Sequence, residues 1–184
     1  NNPGTVAGLG KYKAYGLSFN NQTLMGKINN QTINTSLIPG WNHVVLTYDK
    51  NTSKQKVYVN SVLKSNLTLN ETISTNSNKL TIGKYFNGTI DEFAIWNRSL
   101  SANEVTNIYK RGVLKLNLSY RTSNDSNTFS SWNNVSNNTL STIGEQARYL
   151  QYKAVLNTED ANYTPILNDV TINYTGLFTD GYGD

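Results

Sequence analysis

The amino-acid sequence predicts an all-β protein with one short helix, and three observations lead to this fold class. Short runs rich in Val, Ile, Leu, Tyr and Thr recur along the 184 residues. Asn, Ser and Gly, which favour turns, separate these runs. Only 15% of the residues are charged and no low-complexity tract is present, which argues against a disordered chain. The length suffices for one large or two small β domains, each with its own core.

The first part of the chain is a series of predicted strands joined by tight turns. Residues 17–32 alternate apolar and polar positions and predict two short strands. The run WNHVVLTYD at 41–49 predicts a strand that turns through the side chain of Asp49 and pairs back with KQKVYVN. Asn60-Ser61 predicts the next tight turn. The other strands predicted in this part lie at residues 62–69, 80–83 and 89–97.

One helix is predicted over about 102–111, where a capping sequence begins an amphipathic run. Ser101 and Glu104 form a capping box, in which each side chain accepts a hydrogen bond from the backbone amide of the other. Apolar residues on either side of the cap can pack together as a hydrophobic staple. Two basic residues suit the negative end of the helix, and Gly112 predicts a left-handed stop.

After Gly112 the β pattern resumes, so a second module is predicted over 113–175, following a first domain over 1–112. The run VLKLNLSYRTS alternates cleanly and predicts a strand with Leu114, Leu116, Leu118 and Tyr120 on one face. The further strands predicted here lie at residues 129–136, 148–158 and 165–175. The Gly/Asp-rich end, 176–184, is predicted to be a tail or linker.

Two stretches carry a set of motifs in a fixed order: GWNHVVLTYDKNTSKQKVYVNSVL and LTIGKYFNGTIDEFAIWNRSLSANEVTNIYKRG. In this order they resemble the laminin-G-like, concanavalin-A-like jelly-roll family, over about residues 5–112. The resemblance implies a jelly-roll sandwich closed by a short helix. Residues 113–175 resemble, less specifically, a second small β-sandwich of secreted surface proteins, especially archaeal ones, at YRTSND, RYLQYKAVLNTED and TPILNDVTINY.

Jelly rolls of this family begin with further early strands, and these are not found before Lys11. A sandwich that lacks strands exposes unpaired edges and apolar core residues. Three alternatives remain open: the chain is a fragment held by its missing part, a neighbouring subunit supplies strands by β-augmentation, or the fold has lost them. The start at Asn1, without Met or a signal peptide, indicates a mature product or a fragment.

Asn-x-Ser/Thr sequons are more frequent than chance predicts. They occupy 14 of 29 asparagines, whereas a Ser/Thr content of about a fifth predicts about six. The sequon is the N-glycan acceptor of secreted proteins. The excess favours a glycosylated surface protein over accidental sequons, while the absence of cysteine excludes disulfides. The predicted glycosylation sites are Asn21, Asn30, Asn34, Asn51, Asn66, Asn70, Asn87, Asn97, Asn124, Asn134, Asn137 and Asn162; Asn117 and Asn173 lie in strand-like runs and qualify only if they face outward.

Asp91 and Glu92 are adjacent carboxylates in the run TIDEFAIWN and are the first candidates for catalysis. A glycosidase needs two carboxyl groups on one cleft, about 5–5.5 Å apart for retention and about 6.5–9.5 Å for inversion. Adjacent residues of a regular strand point to opposite faces, so the pair fails this requirement. His43 is the only histidine and is assigned to packing or to the surface. We therefore predict no catalytic residue and no enzyme activity.

Asp91 has a second interpretation, as a calcium ligand. The resemblance implies it, because related jelly rolls hold a structural Ca²⁺ with an Asp of this strand and backbone oxygens of early strands. Calcium takes six to eight oxygen ligands, and the early ligands would lie in the missing region. A carboxylate paired with backbone amides or a lysine is the interpretation that the residues favour. Calcium is the only cofactor considered.

Aromatic residues are the candidates for sugar stacking. The resemblance places Trp41 and Trp96 at core positions, and tyrosines are ordinary in strands. Tyr12, Tyr15 and Tyr85 fall in loop-like settings and are the predicted ligand-binding residues.

The charge pattern argues against two classes of partner. The net charge of +4 is dispersed, without the concentrated patch that nucleic acids or membrane surfaces require. No apolar stretch approaches the ~20 residues that span a bilayer.

We predict a non-catalytic, extracellular, N-glycosylated cell-surface protein with a structural or adhesive role, one form being a filament or envelope subunit completed by strands of its neighbours. The alternative is a carbohydrate-binding module of a larger secreted enzyme or adhesin.

Overall fold

The structure is a computed structural model that describes residues 7–135 and 146–173. The chain divides into two compact units, Asn1–Gly112 and Val113–Asp184, here named unit 1 and unit 2. Antiparallel sheets and one short helix in the described ranges confirm the predicted fold class. The predicted tail 176–184 and the sequon at Asn137 lie outside the described residues. In chain order the elements are β1 (Ala7–Lys11), β2 (Tyr15–Asn20), β3 (Thr23–Ile28), β4 (Gln31–Ser36), β5 (Val44–Asp49), β6 (Lys54–Val59), β7 (Val62–Thr68), β8 (Leu80–Lys84), α1 (Ala102–Val113), β9 (Leu114–Ser123), β10 (Asn133–Asn134) and β11 (Tyr149–Thr158).

Unit 1 opens with a meander that forms a five-stranded sheet in the order β4-β3-β2-β1-β8. Its hairpin turns are tight because Asn21 and Asn29 each adopt a left-handed φ of 51°, which Asn tolerates better than most residues. The stretch predicted as two strands forms β2, β3 and the start of β4. The first strand, AGLGK, has no alternation from which it could be predicted.

The second sheet of unit 1 consists of β5, β6 and β7, paired antiparallel in that order. Asp49 closes the first hairpin as predicted: its carboxylate accepts hydrogen bonds from the Asn51 amide at 2.9 Å and the Thr52 hydroxyl at 2.8 Å. Asn60 and Ser61 close the second, with φ values of 49° and 66° that suit a two-residue hairpin turn. Both predicted hairpins are confirmed.

The two sheets of unit 1 pack face to face over the main apolar core. Gln55 of β6 is fully buried, and its Nε2 donates a hydrogen bond across the sandwich to the carbonyl of Gly26 in β3, at 3.0 Å. A Cβ at position 26 would lie 2.6 Å from Cγ2 of Val57, so glycine is required for this close approach. The buried core residues are Leu24, Ile33, Val57 and Val59.

The helix α1 covers the opposite face of the β5–β6–β7 sheet. Val45 and Tyr58 of the sheet pack against Leu100 and Val105, the predicted hydrophobic staple. The sheet is therefore covered on both faces, which explains why three consecutive residues of β6, Val57 to Val59, are all buried. Among the residues that the structure describes, no helix has the length and apolar character needed to cross a bilayer.

The start of α1 is the predicted capping box. The Ser101 amide donates to Oε2 of Glu104 at 2.8 Å, and the Glu104 amide donates to the Ser101 hydroxyl at 3.3 Å. Both Nη atoms of Arg98 also donate to the Glu104 carboxylate, at 3.0 and 2.5 Å. These hydrogen bonds lower the pKa of Glu104 to about 2, and the largest contribution comes from Arg98.

The end of α1 differs from its prediction. The helix continues through Gly112 to Val113, and Gly112 does not adopt a left-handed φ. The chain enters β9 at the next residue, and the carbonyl of Val113 accepts a hydrogen bond from the amide of Glu159 at 2.9 Å. Because this carbonyl already has a partner, a left-handed glycine cap is not needed.

Unit 2 contains a three-stranded sheet in the order β10-β9-β11. β9 and β11 pair over ten residues, from Leu114 opposite Thr158 to Ser123 opposite Tyr149. In the described part of the run predicted at 129–136, residues 129–135, regular pairing is confined to β10. The described part of the run predicted at 165–175, residues 165–173, forms no strand. Its Pro165 lacks an amide donor and its Asn-Asp pair favours turns, which opposes a ladder.

Candidate functional site

The segment 89–97, predicted as a strand, is irregular in the structure. Glu92 adopts a left-handed φ of 49°, and its amide donates a hydrogen bond to the Asp91 carboxylate at 2.9 Å. A left-handed residue ends an extended run, so the strand prediction is wrong here. The apolar content of the segment remains, but no described strand pairs with it.

This segment lies beside β8, the outer strand of the five-stranded sheet. Cδ1 of Ile90 would be 3.1 Å from a Cβ placed on Gly83 of β8, so the two stretches are in direct proximity. Large apolar side chains on both stretches are exposed, although such side chains normally supply a core. We name this surface the apolar edge; its residues are Leu80, Ile82, Ile90, Phe93, Ile95 and Trp96.

The adjacent carboxylates Asp91 and Glu92 are both exposed. Because the segment is irregular, the expectation that they point to opposite faces of a strand does not apply. Among the described residues no group of three or more His, Cys, Asp or Glu side chains is placed to hold a metal ion. The Asp91 carboxylate accepts a hydrogen bond from the backbone amide of Glu92, in agreement with its interpretation as a carboxylate paired with backbone amides. Calcium binding at Asp91, which would also need backbone oxygens as ligands, stays a prediction.

His43 is half-buried and directly precedes β5. Its amide donates to the Asn60 side chain and its carbonyl accepts from the Asn60 amide, both at 2.8 Å. Its ring lies 5.7 Å from the ring of Tyr109 in α1. Burial lowers the pKa of His43 below its usual value, and the charge of Glu92 opposes the shift. These contacts give His43 a packing role between the sheet and the helix.

The predicted sugar-stacking tyrosines lie in two places. Tyr12 and Tyr15 are together, because Lys11 and Tyr15 face each other in the β1–β2 ladder. Tyr85 follows β8, which runs antiparallel to β1, so it lies at the other end of the ladder, about 17 Å away at ~3.3 Å per residue. Tyr12 and Tyr85 are 71% and 66% exposed, whereas Tyr15 is half-buried. The three tyrosines do not form one binding surface.

Comparison with known proteins decides the family of unit 1. A laminin-G-type family model, described as the concanavalin A-like lectin/glucanases superfamily, matches residues 10–106, more than half of the chain. The chain belongs to this superfamily. Its laminin-G-type domain contains β2–β8 and the start of α1.

One solved structure is similar to the chain: an S-layer domain-containing protein (residues 221–444) from Clostridium thermocellum ATCC 27405. The sequence identity is 22% and the TM-score is 0.33. The similarity covers 53% of this chain and 57% of that one, so the chain spans little more than half of its length. No curated protein matches the chain.

The tryptophans of the laminin-G-type domain are not in its core. Trp41 is 68% exposed and Trp96 is 43% exposed, so the core positions expected for them are wrong. Trp41 precedes β5 and lies outside the sandwich, and Trp96 belongs to the irregular segment of the apolar edge. Sequence motifs identify the domain, but the side chains that fill its core depend on which strands are present to cover them.

The sequon asparagines share one property: each of them in the described ranges is exposed. Asn117 and Asn173 lie in strand-like runs, where only an outward-facing side chain could carry a glycan, and both are exposed. Two sequon side chains have hydrogen bonds: Asn134 accepts from the Ser119 hydroxyl at 3.0 Å, and Asn162 donates to Asp160 at 2.8 Å. Exposure is the condition that a bulky glycan imposes.

Sequence reasoning missed a cluster of cations and aromatic rings in unit 2. The Arg121 guanidinium lies 4.6 Å from the Phe129 ring and 4.7 Å from the Trp132 ring, and Nζ of Lys153 lies 4.6 Å from the Trp132 ring. The pairing of β9 with β11 places Arg121 opposite Gln151, two residues from Lys153. No local motif indicates this arrangement, because it depends on the register of strands far apart in sequence.

Proposed function

We propose that the chain is a non-catalytic, secreted, N-glycosylated cell-surface protein with a structural or adhesive role. In this proposal an extended segment of a neighbouring copy completes the laminin-G-type domain. A laminin-G-type domain fits a carbohydrate-binding or adhesive role. The observation that carries the proposal is the apolar edge.

The physical argument concerns the outer side of β8. An outer strand presents backbone N–H and C=O groups without ladder partners, and here exposed apolar side chains accompany it. Burying apolar surface contributes about 25 cal/mol per Å², and adding a strand also satisfies the backbone groups. A partner strand on β8 would therefore remove both unfavourable features at once.

The proposed occupant is a segment of a second copy. Unit 2 presents exposed apolar side chains on β11, namely Leu150, Tyr152 and Leu156. Each copy thus offers both an apolar edge and an apolar extended segment. A contact between two different surfaces is heterologous, and repeated copies then form a ring or an open filament. This geometry supports a polymer more than an isolated pair.

The glycosylated and non-catalytic parts of the proposal have separate supports. Exposure of every described sequon asparagine supports N-glycosylation, and intact mass spectrometry of the chain from its source organism tests it by the mass added to 20.5 kDa. The half-buried His43, whose ring packs near that of Tyr109, supports a non-catalytic role. Release of reducing sugar from β-glucans, abolished by Asp91→Asn or Glu92→Gln, would contradict that role.

Light scattering after size-exclusion chromatography, with electron microscopy of the same fractions, tests the assembly. The full chain is expected to form oligomers or filaments, and Ile95→Lys to dissociate them. The matched control is Ile38→Lys, which places the same charge on an exposed isoleucine outside the apolar edge. A monomeric chain at about 100 µM would overturn the proposal, and so would equal dissociation by both variants. Stable particles that require a second polypeptide would show that a different partner completes the domain.

A second candidate function, carbohydrate binding by a monomer, is favoured by the exposed Tyr12 and Tyr85. Exposed aromatic rings are suitable platforms for sugar rings. Titration with oligosaccharides, followed by tyrosine fluorescence, is expected to saturate in this case. Tyr12→Ala or Tyr85→Ala should then abolish binding without changing the oligomeric state. Unchanged binding in both variants would reject these two platforms.

A further inference from the structure

The cation–aromatic cluster of unit 2 has a fixed geometry. Arg121 of β9 is held by a hydrogen bond from its Nε to Oε1 of Gln151, at 2.8 Å. Both Arg121 and Lys153 lie within 5 Å of the Trp132 ring, so their charges are less than about 10 Å apart. That separation is comparable to the Debye length, about 8 Å at physiological ionic strength, so the two charges act together on a ligand.

No carboxylate of the described residues forms a salt bridge with Arg121 or Lys153. Lys115, on the same face of β9, differs because its Nζ lies 3.8 Å from a carboxylate oxygen of Glu159. Two adjacent cations without an acidic partner repel each other, and bringing an anion between them relieves that repulsion. The guanidinium also retains its Nη donors for a planar anion, because only its Nε bonds to Gln151.

We propose that Arg121, Lys153 and Trp132 form a binding site for an acidic polysaccharide, one that carries carboxylate or sulfate groups. The two cations contact the anionic groups, while the partly exposed Trp132 holds the cations and offers its indole to the sugar ring. The exposed side-chain amide of Gln151 lies on the same face of the sheet and suits sugar hydroxyls. The site is independent of the apolar edge, because it lies in the other unit.

Binding of the full chain to heparin and polygalacturonate at low salt tests the site, with neutral dextran as the uncharged comparison. The chain is made without N-glycans, so that a glycan at Asn134 does not cover the surface. Lys153→Gln and Arg121→Gln are each expected to weaken binding about tenfold. Lys115→Gln is the matched control, since it removes the same charge from a lysine that already has an acidic partner, and it should change affinity less than twofold.

Each outcome decides the proposal. Equal weakening by Lys115→Gln and Lys153→Gln would overturn it, because the net charge of +4 would then explain the binding. Unchanged affinity in Lys153→Gln would also overturn the proposal. Because the side chain of Lys153 is exposed, this test applies even if Arg121→Gln fails to fold. A duplex DNA that binds as tightly, with the same dependence on Lys153 and Trp132, would assign the site to nucleic acid instead. Loss of binding in Trp132→Ala with recovery in Trp132→Phe would support the role of the ring.

Discussion

The two three-stranded sheets in the described part of the chain, β5–β6–β7 and β10–β9–β11, differ in what covers them. In the first, a second sheet covers one face and α1 covers the other, so consecutive residues of β6 are buried. In the second, Leu150, Tyr152 and Leu156 of β11 remain exposed. Strand pairing is therefore not enough to form a core. A sheet becomes a stable layer only when another layer covers its apolar face.

The largest expected effect comes from the same truncation placed on each sheet system. Leu24→Ala removes a fully buried side chain from the core of unit 1 and should lower the free energy of unfolding by about 2–5 kcal/mol. Leu156→Ala removes an exposed side chain of β11 and should change it by about 0.5 kcal/mol or less. Urea unfolding of the full chain, monitored by near-UV circular dichroism, measures both.

The outcome tests the contrast between the sheets directly. If Leu156→Ala destabilises the chain as much as Leu24→Ala does, then the face of β11 is covered in solution and the two sheets are alike. Repeating the measurement over a range of protein concentrations shows whether a second copy provides that cover, since only then does stability depend on concentration.

Two glycine substitutions compare a closely packed position with an open one. They are expected to change the stability of the chain in opposite directions. Gly26→Ala brings a methyl group within 2.6 Å of Val57 between the two sheets, and such overpacking costs about 1–3 kcal/mol. Gly112→Ala meets no atom within 4 Å in the last turn of α1 and should stabilise by about 0.5–1 kcal/mol. Thermal unfolding measures both shifts. A loss of stability in Gly112→Ala would indicate a left-handed glycine cap at the end of α1.

Several predictions hold because their signals are local in sequence. The turns at Asp49 and Asn60-Ser61 and the capping box at Ser101 each depend on a few neighbouring residues, and each forms as predicted. The strand predicted at 89–97 depends on a partner strand, which composition cannot supply. The same holds for the core positions expected for Trp41 and Trp96.

The same distinction, between local signals and signals that depend on distant strands, applies to the candidate sites. The sequons are local patterns, and their asparagines in the described ranges are exposed. The cluster of Arg121, Trp132 and Lys153 joins residues up to 32 positions apart and requires the β9–β11 register. A one-residue slip of that register would place Lys153 on the opposite face, so the sequence alone did not predict the cluster.

The smallest expected effects on stability come from one carboxylate in each unit. Their dependence on pH distinguishes them from the effects of the other substitutions. Glu104 in unit 1 is held mainly by Arg98, and Asp125 in unit 2 mainly by the amide of Thr128; each has a pKa of about 2. Their usual values are 4.5 and 3.8. Because folding lowers both pKa values, the stability that they contribute is present above the usual values and is lost as the pH falls toward 2.

Glu104→Gln and Asp125→Asn should therefore lower the Tm at pH 6 and make its decline between pH 4.5 and 2 shallower. The two variants are controls for each other, because they differ in salt response. The bond from Arg98 to Glu104 joins two charges, so added salt should weaken its contribution. Asp125 accepts from the neutral amides of Thr128 and Asn127 and the hydroxyl of Ser123, so salt should matter little there. Equal salt responses of the two variants at pH 6 would contradict this assignment, because the ion pair with Arg98 would then contribute nothing beyond neutral hydrogen bonds.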